Sequence, residues 1–197
     1  SPTRGIAMGG YNGSSYINNI DYITISTLGN AQDFGDMTVA KRVVGACASS
    51  TRGVAMGGYD ASDYTNVIDY ITIATTGNSA DFGDRTVAGG YNGGCSNSIR
   101  GLSMGGQAPA VTDVIDYITI ATTGNAIDFG NLTTSKGNSS ALASSIRAFQ
   151  GGGNTPSYVD TLDFVQIATT GNAIDFGDLS VTRAEMAGIS NGHGGLG

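Results

Sequence analysis

Side chains able to do covalent chemistry are sparse in this sequence. It has one histidine, His193, in a glycine-rich C-terminal stretch that reads as a flexible tail, and two cysteines, Cys47 and Cys95. A hydrolase needs an activated nucleophile beside a base or two poised carboxylates flanking a cleft. A zinc site needs three or four clustered His, Cys or carboxylate ligands. The inventory supplies none of these, so no catalytic residue, no metal site and no cofactor is expected. The aspartates recur at regular spacing instead, as Asp21, Asp69, Asp116 and Asp163 in one series and Asp33, Asp81, Asp128 and Asp175 in another. A charge repeated at fixed spacing reads as architecture. The first series is expected to pair, across or within repeats, with the equally spaced Arg4, Arg52, Arg100 and Arg147, and the second to fix a turn through its own backbone. A ring of carboxylates holding a cation in a central channel is the alternative.

These spacings come from a four-fold internal repeat of 47 to 48 residues. Each copy opens with Arg and runs to Gly-Gly (RGIAMGG, RGVAMGG, RGLSMGG, RAFQGGG). It continues through NIDYITIST, VIDYITIAT, VIDYITIAT and TLDFVQIAT, then LGNAQDFGD, TGNSADFGD, TGNAIDFGN and TGNAIDFGD. Four short strands are predicted per copy, which in the first copy lie near 5–8, 20–25, 37–39 and 43–48. The second has the Ile, Tyr and Thr content of a strand, and the Gly-Asn pair after it tolerates the φ > 0 of a tight turn. Ile23 and Ile25 point to one side of that strand, Ile20 and Tyr22 to the other, so it should be buried on both faces between neighbouring sheets. Cys47 and Cys95 occupy one position of adjacent copies, where the third copy has Leu142. They are expected to be buried free thiols acting as small hydrophobes.

Composition agrees. Hydrophobic residues reach 40% and charged residues only 13%, about half the ~25% usual in soluble domains. The 32 glycines suit tight turns and disfavour helices. No apolar run approaches the ~18 residues of a membrane helix, so no membrane insertion is expected. The net charge is −7 and the nine Lys and Arg are scattered, which leaves no basic patch for phosphates and excludes nucleic acid as an expected partner.

The order strand, Gly-Gly, variable loop, Tyr-bearing strand, aromatic, next strand resembles the kelch repeat, whose period is about 50. The resemblance spans nearly the whole chain and departs in one respect: Phe34, Phe82, Phe129 and Phe176 stand where kelch blades carry Trp. The TTGNAxDFG segments and the ending SNGHGGL are also similar to repeats in virion proteins of marine bacteriophages. The kelch resemblance implies an all-β fold, a β-propeller of four four-stranded blades at approximately 3–50, 51–98, 99–145 and 146–192, with a flexible tail at 193–197. The stretch 185–190 matches the strand that precedes each Arg segment. It is expected to pair beside the N-terminal strand and close the ring, the alternative being the last four blades of a longer chain. The phage resemblance implies a virion or extracellular location and other virion subunits as partners.

Within each copy two connections vary freely. One follows Gly-Gly (YNGSSYINN, YDASDYTNV, QAPAVTDV, NTPSYVDT) and the other reads VAKRVV, VAGGYNGG, TSKGNSS and VTRAEM. Strands that alternate in direction put these two connections on one face and the two constant turns on the other. Variable loops on a constant scaffold are where binding residues accumulate, and Tyr with Ser, Asn and Gly is a composition suited to contact surfaces. The candidate ligand contacts are Tyr11, Tyr16, Tyr59, Tyr64, Tyr91 and Tyr158. The expected function is a non-enzymatic virion-surface or tail-fibre module that attaches to a host glycan or receptor. A structural decoration or assembly protein of a phage particle is the alternative, and a secreted glycan-processing enzyme a third.

Overall fold

The computed structural model describes residues 1–189; the tail expected at 193–197, with His193, and the end of the last expected strand at Ser190 lie outside the described residues. The chain is all-β, with no helix among the described residues. Its strands form four antiparallel sheets in chain order. The first holds β1 (Arg4–Tyr11), β2 (Tyr16–Thr24) and β3 (Gln32–Asp36). The second holds β4 (Gly45–Ala48), β5 (Arg52–Tyr59), β6 (Tyr64–Thr72) and β7 (Ala80–Asp84). The third holds β8 (Gly93–Ser96), β9 (Arg100–Ala108), β10 (Ala110–Thr119) and β11 (Ile127–Asn131). In the fourth, β12 (Ser140–Ala143) and β13 (Arg147–Gly151) precede a separate hairpin of β14 (Asn154–Thr155) and β15 (Ser157–Tyr158), after which β16 (Thr161–Gln166) and β17 (Ile174–Asp178) complete the sheet.

Two strands sit differently from the reading of the alternation. The third strand of each repeat is the DFG segment itself, at 32–36 in the first copy, and not 37–39. The fourth pairs with the Arg strand of the following repeat, Cys47 opposite Val54, Cys95 opposite Leu102 and Leu142 opposite Phe149. Each complete sheet is therefore built from two successive repeats. The closure expected from 185–190 is absent among the described residues: the first sheet keeps three strands, and Gly188 lies against Ser140 and Ala141 of β12.

The sheets stack as blades because alternate residues of each central strand serve different neighbours. From β6, Ile68 and Tyr70 pack forward with Phe82 against Ile118 and Ile120 of the third sheet. Ile71 of the same strand and Ile73 just after it pack backward on Ile20 and Phe34 of the first sheet and on Met37 beyond its last strand. Leu102, Met104 and Phe129 repeat the pattern against Val165 and Ile167 of the fourth. Complete burial of one such side chain stabilises by about 1.5–3 kcal/mol.

A buried ion pair crosses every one of these layers. Lys41 Nζ lies 2.8 Å from Asp69, Arg85 Nε 3.3 Å from Asp116 and Lys136 Nζ 3.0 Å from Asp163, with all six side chains essentially inaccessible. Thr38, Thr86 and Thr133 each donate a hydroxyl hydrogen bond to the other carboxylate oxygen. Burial pulls Lys41 and Arg85 below their ordinary pKa and pushes Asp116 above its own, with the opposite partner acting against that effect. The repeated Arg expected to meet these aspartates goes elsewhere. Arg4, Arg52 and Arg100 donate to the carbonyls of Ile73, Ile120 and Ile167 in the next blade, at 2.7, 2.9 and 2.8 Å. Their guanidinium groups lie over Tyr22, Tyr70 and Tyr117.

The blades approach so closely that glycine is required at their outer strands. A Cβ on Gly35, Gly83 or Gly130 would stand 2.5 Å from the backbone of Gly77, Gly124 or Gly171 in the following blade. The preceding aspartates, Asp33, Asp81, Asp128 and Asp175, accept a hydrogen bond from the amide two residues on, at 3.0–3.2 Å, and so fix this local turn.

Cys47 and Cys95 are free and buried. Burial pushes both thiols up, Cys95 to about 12. Since the thiolate is the reactive form, a maleimide at pH 8 should label the native protein slowly and label both cysteines fast once denaturant is added. Rapid native labelling, followed by mass spectrometry, would contradict the packing described.

Candidate functional site

The two variable connections of the repeat meet on one side of the blade stack, joined by backbone. Arg42 and Tyr59 exchange hydrogen bonds of 3.0 and 2.9 Å, Gly90 and Gln107 of 3.1 and 2.8 Å, and Gly137 and Asn154 of 3.2 and 3.0 Å. Each pair ties the second connection of one repeat to the first connection of the next. The loops between the strands are held by their own side chains. The Asn12 side chain accepts from the amides of Ser14 and Ser15, and Asp60 from those of Ser62 and Asp63. The Ser62 hydroxyl, followed by these amides, holds the Asp60 carboxyl below its ordinary pKa.

Five of the six candidate tyrosines converge here. The rings of Tyr11 and Tyr16 are 5.4 Å apart, those of Tyr16 and Tyr59 5.9 Å, and those of Tyr59 and Tyr64 5.0 Å. Tyr91 joins the same side through its backbone, its amide donating to the Val43 carbonyl at 2.8 Å, and burial, then the Tyr91 and Tyr59 phenols, push the Tyr64 hydroxyl above its ordinary range. Tyr158 stands apart on β15 in the fourth repeat, 65% exposed.

At the centre is a residue that the sequence reading did not single out. The Arg42 guanidinium lies 5.5, 5.4 and 5.9 Å from the ring centres of Tyr11, Tyr16 and Tyr59. Each such contact attracts a cation to the ring face by about 0.5–1 kcal/mol where exposed. The signal for it lay in the comparison of repeats: the equivalent positions are Gly90, Gly137 and Ala184, so only the first copy carries a cation there.

Compared with protein-family models and with curated proteins, the chain matches none.

The arrangement is a surface for contact. Tyrosine faces stack on flat apolar surfaces such as those of pyranose rings, while phenol and guanidinium hydrogens serve hydroxyl acceptors. Of the recurring carboxylates, Asp69, Asp116 and Asp163 sit in the inter-blade ion pairs and the DFG aspartates accept in their own turns, while Asp21 is exposed.

Proposed function

We propose that the chain is a non-enzymatic attachment module, a run of kelch-like β-propeller blades on a virion surface or tail fibre, which binds a host-surface glycan or receptor through the tyrosine and arginine face. The observation that carries this reading is the convergence of Tyr11, Tyr16, Tyr59 and Tyr64 around Arg42 at the meeting of the two variable connections. Rigid aromatic anchors with few rotatable bonds lose little entropy on binding. The virion and extracellular setting rests on the likeness of the TTGNAxDFG repeats to those of phage virion proteins.

Glycan-array screening of the chain tests the reading. Tyr11→Ala and Tyr16→Ala are expected to weaken the selected glycan about 30-fold, the effect of an aromatic hot spot worth about 2 kcal/mol. Tyr158→Ala should leave binding in place, and all three variants should keep the wild-type unfolding midpoint. Absence of glycan or receptor binding, or equal loss in the Tyr158 variant, would count against the face. The second reading, a structural decoration or assembly protein, is favoured by one observation: both ends of the blade stack expose apolar sheet faces, with Ile25 57% and Phe176 55% exposed. Stoichiometric incorporation into a particle without glycan binding would select it.

A further inference from the structure

The three blade-to-blade contacts are copies of one another. Gly77, Gly124 and Gly171 each donate a 2.7 Å hydrogen bond to the carbonyl of Phe34, Phe82 and Phe129 in the preceding blade. The Asn78, Asn125 and Asn172 side chains accept from the amides of Asp36, Asp84 and Asn131 at 3.0–3.1 Å. A fourth contact of the same kind would use Phe176, Asp178 and Arg147 on the last blade and Gly29, Asn30 and the Ile25 carbonyl on the first. Among the described residues none of those bonds is made. Phe176 is 55% exposed where Phe34, Phe82 and Phe129 are at most 3% exposed. Ile23 is 47% exposed where Ile71 and Ile118 are 2% exposed. Asp21 is exposed, and Ser180 and Arg183, in the positions of Thr38 and Lys41, are exposed at the other end.

The sheets are incomplete in the same sense. β4, β8 and β12 each supply the fourth strand to a blade, whereas among the described residues no strand pairs with the outer edge of β1. The segment 187–189 continues the series, and among the described residues it pairs with no Arg strand. The amides of Tyr91, Asn138 and Glu185 bond in succession to the carbonyls of Val43, Tyr91 and Asn138. A Cβ on Gly188 would lie 2.8 Å from the Ala141 backbone, much as one on Gly94 would lie 2.4 Å from that of Ala46. Ile189 stands in the position of Cys47, Cys95 and Leu142 and is 89% exposed. Between β1 and β4 lies a cavity of about 330 Å³ lined by Ile6, Met8, Val44, Ala48 and Ile73. Since Cys47 sits opposite Val54, its counterpart on the edge of β1 sits opposite Ile6.

We propose that these two ends form one interface between copies of the chain, joined head to tail: residues 187–189 of one copy add as the fourth strand to β1 of a second, Ile189 enters the cavity beside Ile6, and the Phe176 face stacks on the Ile23 and Ile25 face. Strand addition satisfies the free edge of β1, the stacking removes two apolar faces from water, and Arg183 and Ser180 meet Asp21. The occupant is a second copy because the chain's own segment rests against β12, and no hydrogen bond, ring contact or ion pair links the first sheet to the fourth among the described residues. Two copies make eight blades, within the range this architecture reaches, and a heterologous contact that fails to close makes a filament.

Sedimentation velocity tests this on the intact chain, with an expected mass of twice the 19.9 kDa protomer or a higher multiple. Ile23→Asp and Phe176→Asp alter only exposed positions, so each variant should keep the wild-type circular dichroism yet sediment as a monomer. Mixed together, they should form a 1:1 dimer, because one retains the head and the other the tail. An Ile6→Cys chain and an Ile189→Cys chain, mixed and oxidised, should cross-link to each other. A wild-type monomer at high micromolar concentration, a mixture that stays monomeric, or a cross-link formed only inside a chain carrying both cysteines overturns the proposal. The last result would show the chain closing on itself. Glycan binding by the tyrosine face is read separately and survives any of these outcomes.

Discussion

Arg85→Met lowers the unfolding free energy by about 3–5 kcal/mol, the usual result of removing one partner from a buried ion pair, and adding Gly89→Lys restores most of it. Among the described residues Arg85 is the only cation paired with Asp116 in the second interface, where it also donates to the Gly89 carbonyl at 3.1 Å. Without it the carboxylate keeps the Thr86 hydroxyl but loses its counter-charge in a site closed to water. The rescue follows from the neighbouring repeats. The position of Arg85 is Met37 and Leu132 in the first and third copies, and the position of Gly89 is Lys41 and Lys136. Gly89 has no positive φ, and a Cβ there would stand 3.3 Å from Arg85 Nη1 and from the Gln107 carbonyl, the first of which the Met substitution removes. Equilibrium urea unfolding of the two variants measures both effects. Replacing the whole pair by apolar residues should cost far less than the single change, because burial opposes the charge on both Arg85 and Asp116. Equal losses in the single and the rescued variant would mean that the ion pair is not what Arg85 contributes.

That cation shows where sequence and structure part company. The spacing of Asp21, Asp69, Asp116 and Asp163 was legible as architecture, yet the partner expected was the equally spaced Arg. The true partner shifts by four residues between copies, from 41 to 85 in repeat register, so periodicity hides it. Strand identity was legible in IDYITI and its equivalents, where β-branched and aromatic residues face both ways. The DFG segment was not, because Asp and Gly read as a turn. Gly35 is there because the next blade's Gly77 backbone arrives within 2.5 Å of where a Cβ would be, and a contact between repeats leaves no mark inside one repeat. The tyrosine face was legible as a set of variable, Tyr-rich connections. Its organisation around Arg42 was not, since a single-copy cation breaks the repeat instead of following it.

Phe129→Ala should cost about 3–5 kcal/mol, the usual loss for a buried aromatic, while Phe176→Ala at the same repeat position should cost under about 0.5 kcal/mol, as exposed substitutions do. Phe129 is 2% exposed, within the layer formed by Leu102, Met104 and Ile167. Phe176 is 55% exposed, with the rings of Phe149 and Phe164 beside it. The central strand carries the same contrast. Ile71→Ala and Ile118→Ala should each cost about 2–5 kcal/mol, and Ile23→Ala almost nothing, although IDYITI is identical in the three copies. Identical letters give different energies because only the inner copies have a blade on both sides. Denaturation must be followed at protein concentrations where copies are separate, for the end positions then report on the single chain. Raising the concentration should widen the gap between wild type and the Phe176 and Ile23 variants while leaving the Phe129 and Ile118 penalties in place, since a contact between copies stabilises by mass action only the surfaces it covers. Equal penalties at Phe129 and Phe176 in dilute solution would mean that the end faces are already covered by the chain itself.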